Sequence, residues 1–257
     1  MPHLAAQRAA FINRLASRTP LSEGERGVLA DLVRQLEGTA ARVDLVRQDE
    51  CPPHMSVLIE GYAACYKLKA GGERQIVQFH LPGEVLDFHV SMLGLADHSI
   101  MTLSRCRVAR VPRATLLRVM DAYPAIARAF WQETLVDAAI LREWMVNIGR
   151  RETYARVAHL FCELKMRMHA IGRCNGTSFE FPATQGELGD AMGVTAVHMN
   201  RTMQALRAAR LLDMHGHCIN IQDWDRLCEV AEFDPTYLHL GQSSPDAARR
   251  CDRDPSA

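Results

Sequence analysis

The sequence predicts an α+β fold in which an antiparallel β domain is followed by a long helix and a small helical module. Residues 21–111 contain short alternating apolar runs separated by Gly and Pro, a texture typical of strands and turns. After Pro112 the apolar residues recur every three to four positions, as in helices. Residues 184–207 fit two short helices joined at Gly193.

The composition indicates a globular chain. Hydrophobic residues make up 48% of the 257 residues and charged residues 23%, which is sufficient for a core. Lys+Arg and Asp+Glu both number 30, so the net charge is zero and does not point to any class of binding partner. No run approaches the ~18 to 20 apolar residues of a membrane span, and the first residues lack the apolar run of a signal peptide. We therefore expect a cytoplasmic protein that does not bind membranes.

The cysteines give no sign of a metal centre or a disulfide framework. They are scattered along the chain without a CxxC pair, at positions 51, 65, 106, 162, 174, 218, 228 and 251. In a reducing cytosol, free thiols are the default for such cysteines. We expect no metal and no cofactor.

The β domain is assigned to residues 21–123, after an N-terminal helical segment, residues 1–20, with a short helix at 6–16. Residues 56–59 and 63–68 are predicted strands. Because the strands follow one another too closely for crossover helices, the sheet should be antiparallel, as in a sandwich or barrel.

The long helix is assigned to residues 124–149, with Pro124 in its first turn. Apolar residues alternate there at spacings of three and four, as in a coiled-coil seam: Trp131, Thr134, Ala138, Leu141, Met145 and Ile148. This stripe could pack on the helix's own domain or form a dimer interface. Gly149 is expected to interrupt the helix, and Arg150 and Arg151 to begin a second one that reaches His169.

Residues 150–240 are assigned to a helix-turn-helix module. Gly189 permits a close helix crossing, Gly193 permits a tight turn, and Thr195 caps the second helix. A strand is expected at residues 178–181 and a hairpin at 211–221, turning at His215 and Gly216. Residues 241–257 form a polar tail that we predict to be disordered.

On the second helix of this module, the spacing of Met199, Met203 and Leu206 places them inward. The opposite face then carries Asn, Arg and Gln, which can make paired contacts with base edges in the major groove. The candidate DNA-binding residues are Thr184, Gln185, Thr195, Ala196, Val197, His198, Asn200, Arg201 and Gln204. Residues 150–173 add six basic and two acidic residues, a modest electrostatic footprint.

This order of parts resembles the Crp/Fnr superfamily of bacterial transcription regulators over residues 21–224. The matching segments are Gly61-Tyr62-Ala63, Leu81-Pro82-Gly83-Glu84, residues 106–112 and residues 184–206. The resemblance implies a β-roll sensor (a double-stranded β-helix or jelly roll), a dimerisation helix and a winged helix-turn-helix. It also implies a homodimer that binds near-palindromic double-stranded DNA, with RNA polymerase and an unidentified small-molecule effector as further partners.

The sensor departs from the cyclic-AMP-responsive members of the family. Asp87 and Phe88 occupy the place of a ribose-binding Gly-Glu pair, and residues 96–99 replace the Arg-Ser pair that holds the cyclic phosphate. Without that arginine, a cyclic nucleotide would meet carboxylates and no clamp. The candidate effector pocket comprises Asp87, Phe88, Asp97, His98, Ser99, Leu141 and Arg142. Because Arg142 carries a positive charge, binding of an anionic effector remains an alternative.

The other sensing mechanisms considered need an iron-sulfur cluster, a haem or a reactive thiol. The N-terminal cysteine cluster of the iron-sulfur members is absent, because the first cysteine is Cys51. Haem binding would use an N-terminal proline and a histidine, for which this chain offers Pro2, His80 and His89. A thiol-based redox switch would use Cys65, Cys106 or Cys162.

We expect no enzymatic activity, because the sequence contains no nucleophile elbow, P-loop or dinucleotide loop. In the DNA reader, Thr195 and Arg201 match the family pattern. Ala196 and Val197 stand where a base-reading Arg-Glu pair is common, so the family's usual base preference does not carry over. The sequence therefore predicts a homodimeric, sequence-specific DNA-binding transcription regulator that does not respond to cyclic AMP.

Overall fold

The computed structural model describes the backbone of residues 2–240 and the side chains of residues 7–240. Helix α1, Pro2–Ala16, begins earlier than the predicted start at residue 6. Helix α2, Glu23–Leu32, lies in a region that was expected to form strands. It begins with a capping box, in which Ser22 and Glu25 satisfy each other's backbone N–H groups. The predicted disordered tail, residues 241–257, lies outside the described residues.

The β domain is a roll of two antiparallel sheets, as predicted. Its strands are β1 Glu37–Thr39, β2 Asp44–Val46, β3 His54–Glu60, β4 Ala63–Leu68, β5 Arg74–His80, β6 Ser99–Thr102 and β7 Cys106–Pro112. One sheet has the order β1-β7-β3 and the other β2-β6-β4-β5. The predicted strand at 63–68 coincides with β4, and residues 56–59 lie within β3.

The turn after β5 lies directly against the N-terminal helix. Gly83 has a φ of 91°, and a Cβ atom there would lie 3.3 Å from the backbone of Ala10 and Phe11. A side chain would therefore meet both an unfavourable backbone conformation and the helix wall. The neighbouring Glu84 is buried.

Four helices follow or interrupt the roll: α3 Phe88–Leu93, α4 Arg113–Ala122, α5 Pro124–Arg150 and α6 Thr153–Ala170. The long helix begins at Pro124 as predicted, but Gly149 does not interrupt it. Helix α5 continues through Gly149 to Arg150, and α6 begins only after Glu152. A single Gly costs a helix only about 1 kcal/mol, which the packing of neighbouring residues can offset.

The C-terminal module contains a small antiparallel sheet and four short helical segments. Its elements are β8 Cys174–Asn175, β9 Ser178–Glu180, α7 Gln185–Met192, α8 Ala196–Ala208, β10 Leu212–His215, β11 Cys218–Ile221, α9 Trp224–Ala231 and a 3-10 helix, Pro235–Leu238. The strand order is β10-β11-β9-β8. The predicted hairpin is present, with Gly216 at a φ of 60° in its turn.

One hydrophobic core joins the module to the roll. It includes Phe79 of β5, Trp144 of α5 and Phe181 after β9, all buried. The ring of Phe79 makes edge-to-face contacts with Trp144 at 5.8 Å and with Phe181 at 5.0 Å between ring centroids. Such pairs add to the free energy gained by burying their area. The module is therefore packed onto the roll.

A buried cluster of charges lies beside this core. Arg167 of α6 donates to Glu84 at 3.0 Å, to Glu163 at 2.8 Å and to the Phe79 carbonyl at 2.7 Å. Arg14 of α1 pairs with Glu84 at 3.2 Å and also with Glu133 of α5. Burial alone would raise the pKa of Glu84, but Arg167 and Arg14 hold it well below its usual range.

The same cluster reaches the C-terminal end of the described chain. Glu163 accepts hydrogen bonds from Trp144 Nε1 at 3.0 Å and from the Tyr237 hydroxyl at 2.9 Å. Arg18 donates to Glu133 at 2.8 Å. The cluster thus connects α1, the roll, α5, α6 and the 3-10 helix. Among residues 2–240, no helix combines the length and apolar character needed to cross a membrane.

Substituting Arg167 by Met should lower the free energy of unfolding by about 3 kcal/mol or more, because Glu84 and Glu163 would lose a buried partner. Urea unfolding followed by circular dichroism measures the change. Arg173→Met, which removes an exposed arginine beyond α6, serves as the control and should have an effect within about 0.5 kcal/mol. Equal midpoints for the two variants would contradict this role for the cluster.

Candidate functional site

The helix-turn-helix begins with a capping box at α7. The Thr184 hydroxyl accepts from the Glu187 N–H at 3.2 Å, and the Glu187 carboxylate accepts from the Thr184 N–H at 2.7 Å. Helix α7 ends at Gly193, whose φ of 67° lies in the left-handed region. The predicted turn at Gly193 is therefore present.

Gly189 is the point of closest approach between the two helices. A Cβ atom there would lie 2.7 Å from the carbonyl oxygen of Val194, a distance that real Cβ atoms do not adopt. Because the obstacle is backbone, a larger residue would push the turn away. The prediction that Gly189 permits a close crossing agrees with this geometry.

Helix α8 has the predicted inward face. Met199, Met203 and Leu206 are buried, together with Thr202. Thr195 caps the helix by accepting a hydrogen bond from the His198 N–H at 3.2 Å. Burial of the inward residues fixes which side chains face solvent.

Most of the DNA-binding candidates lie on the outward face of α8 or at its N-cap, and Thr184 and Gln185 lie at the start of α7. Val197 is 65% exposed. The exposed candidates are Thr184, Thr195, Ala196, Val197, His198, Arg201 and Gln204. The other two candidates, Asn200 and Gln185, are half-buried. Asn200 Nδ2 donates a hydrogen bond to Gln185 Oε1 at 2.8 Å, and Gln204 Nε2 donates one to Asn200 Oδ1 at 3.0 Å. These hydrogen bonds between side-chain amides connect α7 to α8.

The basic residues of the segment 150–173 contribute less to this surface than the sequence predicted. Arg167 is buried, Arg151 pairs with Glu143 at 2.8 Å, and Arg156 donates to the Met192 carbonyl at 2.7 Å. These three arginines support the fold, and the last of them fixes the end of α7. The sequence pattern could not distinguish them from a surface footprint because charge alone does not reveal burial.

Polar contacts of α7 and β9 with the roll fix the orientation of the reader. Arg74 of β5 pairs with Asp190 at 2.7 Å, and Gln75 Nε2 donates to the Ala191 carbonyl at 3.1 Å. Tyr62 donates to the Glu180 carbonyl at 3.0 Å. None of these contacts uses a candidate DNA-binding residue. The first helix of the reader therefore docks on the roll while the outer face of α8 remains accessible.

A cavity of about 280 Å³ lies between the roll and α5. Of the predicted effector residues, Phe88, Asp97, His98 and Leu141 line it. Its other lining residues are Cys65, Lys67, Val77, Gln78, His80, Val85, Leu86, His89, Phe130, Glu133, Thr134, Asp137 and Ala138. Four of the seven predicted residues are thus brought together.

The structure places the other three predicted pocket residues outside the cavity lining. Asp87 is fully buried and accepts the Ser56 N–H at 2.5 Å, and burial raises its pKa to about 6. Ser99 faces Gln48, whose N–H it accepts at 2.9 Å. Arg142 is exposed on α5. Neighbouring positions on a strand or helix point in different directions, which explains why the cavity is lined by Phe88, His98 and Leu141 and not by these three neighbours.

Three carboxylates and three histidines belong to the ionisable lining of the cavity. Burial, together with the nearby charges of Glu133 and Glu84, raises the pKa of Asp137 to about 7. Asp137 accepts a hydrogen bond from Gln78 at 3.2 Å. Lys67 is the only lysine or arginine among the described lining residues. Neither Asp137 nor Glu133 belongs to a recognisable motif, so neither could be predicted here from the sequence.

The three cysteines considered for redox sensing are buried. Burial raises the pKa of the thiols of Cys65, Cys106 and Cys162. A reactive thiol needs a lowered pKa and access to solvent, so the surroundings of these cysteines disfavour that role. His80 and His89, considered for haem, both line the cavity, and the side chain of Pro2 lies outside the described residues.

The outer face of α5 is apolar and uncovered. Trp131 is 68% exposed and Met145 is 74% exposed. Leu141 is also exposed, whereas Thr134, Ala138 and Ile148 are half-buried. Leu135 and Val146, which lie outside the predicted seam, extend the exposed apolar surface. We call the set Trp131, Leu135, Leu141, Met145 and Val146 the α5 stripe.

Gly189→Ala should displace the turn between α7 and α8 and lower the midpoint of thermal unfolding, because its Cβ would overlap the Val194 carbonyl. Gly186→Ala in the same helix is the matched control, since its Cβ would meet only the Thr184 hydroxyl at 3.8 Å. Exchange of Gly for Ala in a helix favours folding by about 1 kcal/mol, so Gly186→Ala should be neutral or stabilising. If both variants melt alike, the close crossing is not important for stability.

Two family profiles match the chain and together cover more than half of it. The Crp-like helix-turn-helix domain matches residues 155–230, and the cyclic nucleotide-binding domain matches residues 40–123. The nitrogen fixation regulation protein FixK of Azorhizobium caulinodans is 26% identical over 196 residues, which cover 72% of this chain and 78% of FixK. The transcriptional activator protein FnrA of Stutzerimonas stutzeri is 21% identical over 211 residues, with coverages of 82% and 86%.

The fold agrees with solved structures of the same kind. FixK2 from Bradyrhizobium japonicum superposes with a TM-score of 0.69 at 23% identity, covering 76% of this chain and 96% of FixK2. A CooA mutant from Carboxydothermus hydrogenoformans superposes with a TM-score of 0.63 at 11% identity, covering 77% and 87%. The relatives are DNA-binding transcription regulators and not enzymes. With both profiles matched in the order that the fold requires, the chain belongs to the Crp/Fnr superfamily of transcription regulators.

Proposed function

We propose that this regulator works as a homodimer that reads a near-palindromic DNA site with α8. The observation that carries the proposal is the outward face of α8, where Asn200, Arg201 and Gln204 lie on one surface above a buried row. Asn and Gln can pair with adenine edges and Arg with guanine edges in the major groove. As a DNA reader it would act in the cytoplasm, with RNA polymerase as a further partner.

The other candidate residues would make different kinds of contact with DNA. Val197 can meet a thymine methyl group, and His198 supplies a further donor or acceptor beside it. Thr184, Gln185, Thr195 and Ala196 lie near the N-termini of the two helices, where backbone N–H groups favour phosphate oxygens. Phosphate contacts would fix the position of the reader, and the α8 side chains would supply the sequence preference.

The α5 stripe supports dimerisation with a second copy of the chain. Its members recur at helical spacing along one face, and the residues proposed for the interface also include Thr134, Ala138 and Ile148. A helix that is apolar on two faces normally buries both, and the inner face is already packed on the roll. Because identical helices present identical stripes, a two-fold axis satisfies both at once.

The cavity favours an effector other than cyclic AMP. Its described lining carries Asp97, Glu133 and Asp137 against the single cation of Lys67. A cyclic phosphate needs a fixed cation or several N–H donors. Arg142, which left anion binding open in the sequence, faces solvent. Phe88, Asp97, His98 and Leu141 are the predicted residues that would contact an effector here, while Asp87 and Ser99 would support the wall.

Met145→Glu and Leu141→Glu should convert the dimer into monomers, because charges on the α5 stripe would be desolvated and face their own copies. Sedimentation velocity over a range of protein concentrations measures the association. Leu117→Glu provides the control: Leu117 of α4 is 38% exposed, as is Leu141, and lies outside the stripe. Monomers from the control, or dimers from both stripe variants, would contradict the interface.

Arg201→Ala should weaken binding to the selected operator by about 1–3 kcal/mol per half-site and relax the preference at one base pair. The operator is first selected from random DNA, and we expect half-sites about 34–36 Å apart. Val197→Ala should have a smaller effect, confined to a thymine position. Affinities for the operator and its single-base variants are measured at several salt concentrations, with and without cyclic AMP.

Arg118→Ala controls for the lost charge, since Arg118 is an exposed arginine on α4, away from the reader. It should bind operator and random DNA as the wild type does. An Arg201→Ala protein that does the same would contradict the assignment of α8 as the reader. A tightening of operator binding by micromolar cyclic AMP would contradict the proposed effector specificity alone.

A further inference from the structure

Two imidazoles and a carboxylate converge on the wall of the cavity. His89 belongs to α3, while Asp97 and His98 lie in the loop before β6. Nδ1 of His98 is 2.7 Å and Nε2 of His89 is 3.6 Å from the same oxygen, Asp97 Oδ1. The three potential ligand atoms all lie within 4.8 Å of one another. The fold thus brings together donors from two separate segments.

The environment of His89 has an unexplained feature. Its Nε2 atom is buried and has no hydrogen-bond partner among the described residues, since 3.6 Å from Asp97 is too long for a hydrogen bond. Buried polar atoms normally have a partner. The two imidazole rings lie 4.7 Å apart between centroids, with 31° between their planes. An ion between these atoms would satisfy the lone pair of His89.

The donor set indicates which kind of ion would fit. Imidazole nitrogen with carboxylate oxygen suits divalent transition metals such as Zn²⁺, Fe²⁺ and Co²⁺, whereas Ca²⁺ and Mg²⁺ prefer oxygen ligands throughout. At metal–ligand distances of about 2.0–2.2 Å the three atoms would have to shift. Asp97 Oδ1 and His98 Nδ1 would move apart from their present 2.7 Å, because two ligands of one tetrahedral ion lie farther apart than a hydrogen bond. Asp97 has a 70% exposed side chain and His89 a 33% exposed one, so both have room for this movement.

We propose that His89, Asp97 and His98 bind one divalent transition-metal ion in the wall of the cavity. The ion would replace the hydrogen bond between Asp97 and His98 and would tie α3 to the loop before β6. Three protein ligands leave at least one coordination position for water or a small molecule. That position would face the cavity, whose opposite wall is formed by α5.

The test uses the full-length protein freed of metal by a chelator and titrated with Co²⁺, whose visible absorption reports protein ligands. One Co²⁺ per chain should bind with a visible spectrum, and Zn²⁺ should displace it. His89→Gln and His98→Gln should each weaken binding at least about tenfold. His169→Gln removes an exposed histidine at the end of α6 and should bind as the wild type does.

Asp97→Asn is the variant least able to disturb folding, because that side chain faces solvent. It should also weaken Co²⁺ binding at least about tenfold while its thermal unfolding without metal stays unchanged. Wild-type affinity in Asp97→Asn and in both histidine variants, or an equal loss in His169→Gln, would overturn the site. The Co²⁺ titration is carried out without DNA, so its result does not depend on whether the proposed operator binding is correct.

Discussion

The pairing of Arg167 with Glu84 and Glu163 is the interaction on which the mutual arrangement of the roll, α5 and α6 depends. Arg167 comes from α6, Glu84 from the turn after β5, and the adjoining Arg14 and Glu133 from α1 and α5. Breaking a buried ion pair costs far more than breaking an exposed one, because the remaining charge lacks solvent. The roll, the long helix and the reader are therefore held in one mutual orientation. Contacts such as Arg74–Asp190 refine that orientation at the surface, where charges contribute less.

Local signals in the sequence predicted much of the fold and of the reader. The strand at residues 63–68 follows from alternation and flanking glycines, and the frame of α7 and α8 follows from two glycines and an apolar row. These features depend on residues that are close in the chain, so a single sequence records them. The inward direction of Met199, Met203 and Leu206 has the same origin, because helical spacing alone determines which residues share a face.

The features that the sequence did not reveal are those formed between distant segments. Arg14 and Glu133 are 119 residues apart, and nothing near either residue indicates the other. The cavity mixes residues of β4, β5, α3 and α5, so Asp137 could not be assigned to it, while Asp87 was assigned to it and faces Ser56 instead. Burial of Arg167 was equally hidden, because arginine is usually exposed and only its partners explain why it is inside.

Leu141 has two surroundings at once, since it lines the cavity and also belongs to the α5 stripe. Thr134 and Ala138 line the same cavity beside the stripe. In a dimer formed through α5, a ligand in the cavity would contact residues that lie next to the partner subunit. Ligand affinity and self-association would then be thermodynamically linked, each changing the other by the same factor. The apparent affinity for the ligand would then depend on protein concentration. The regulator would respond to different ligand concentrations at low and at high abundance.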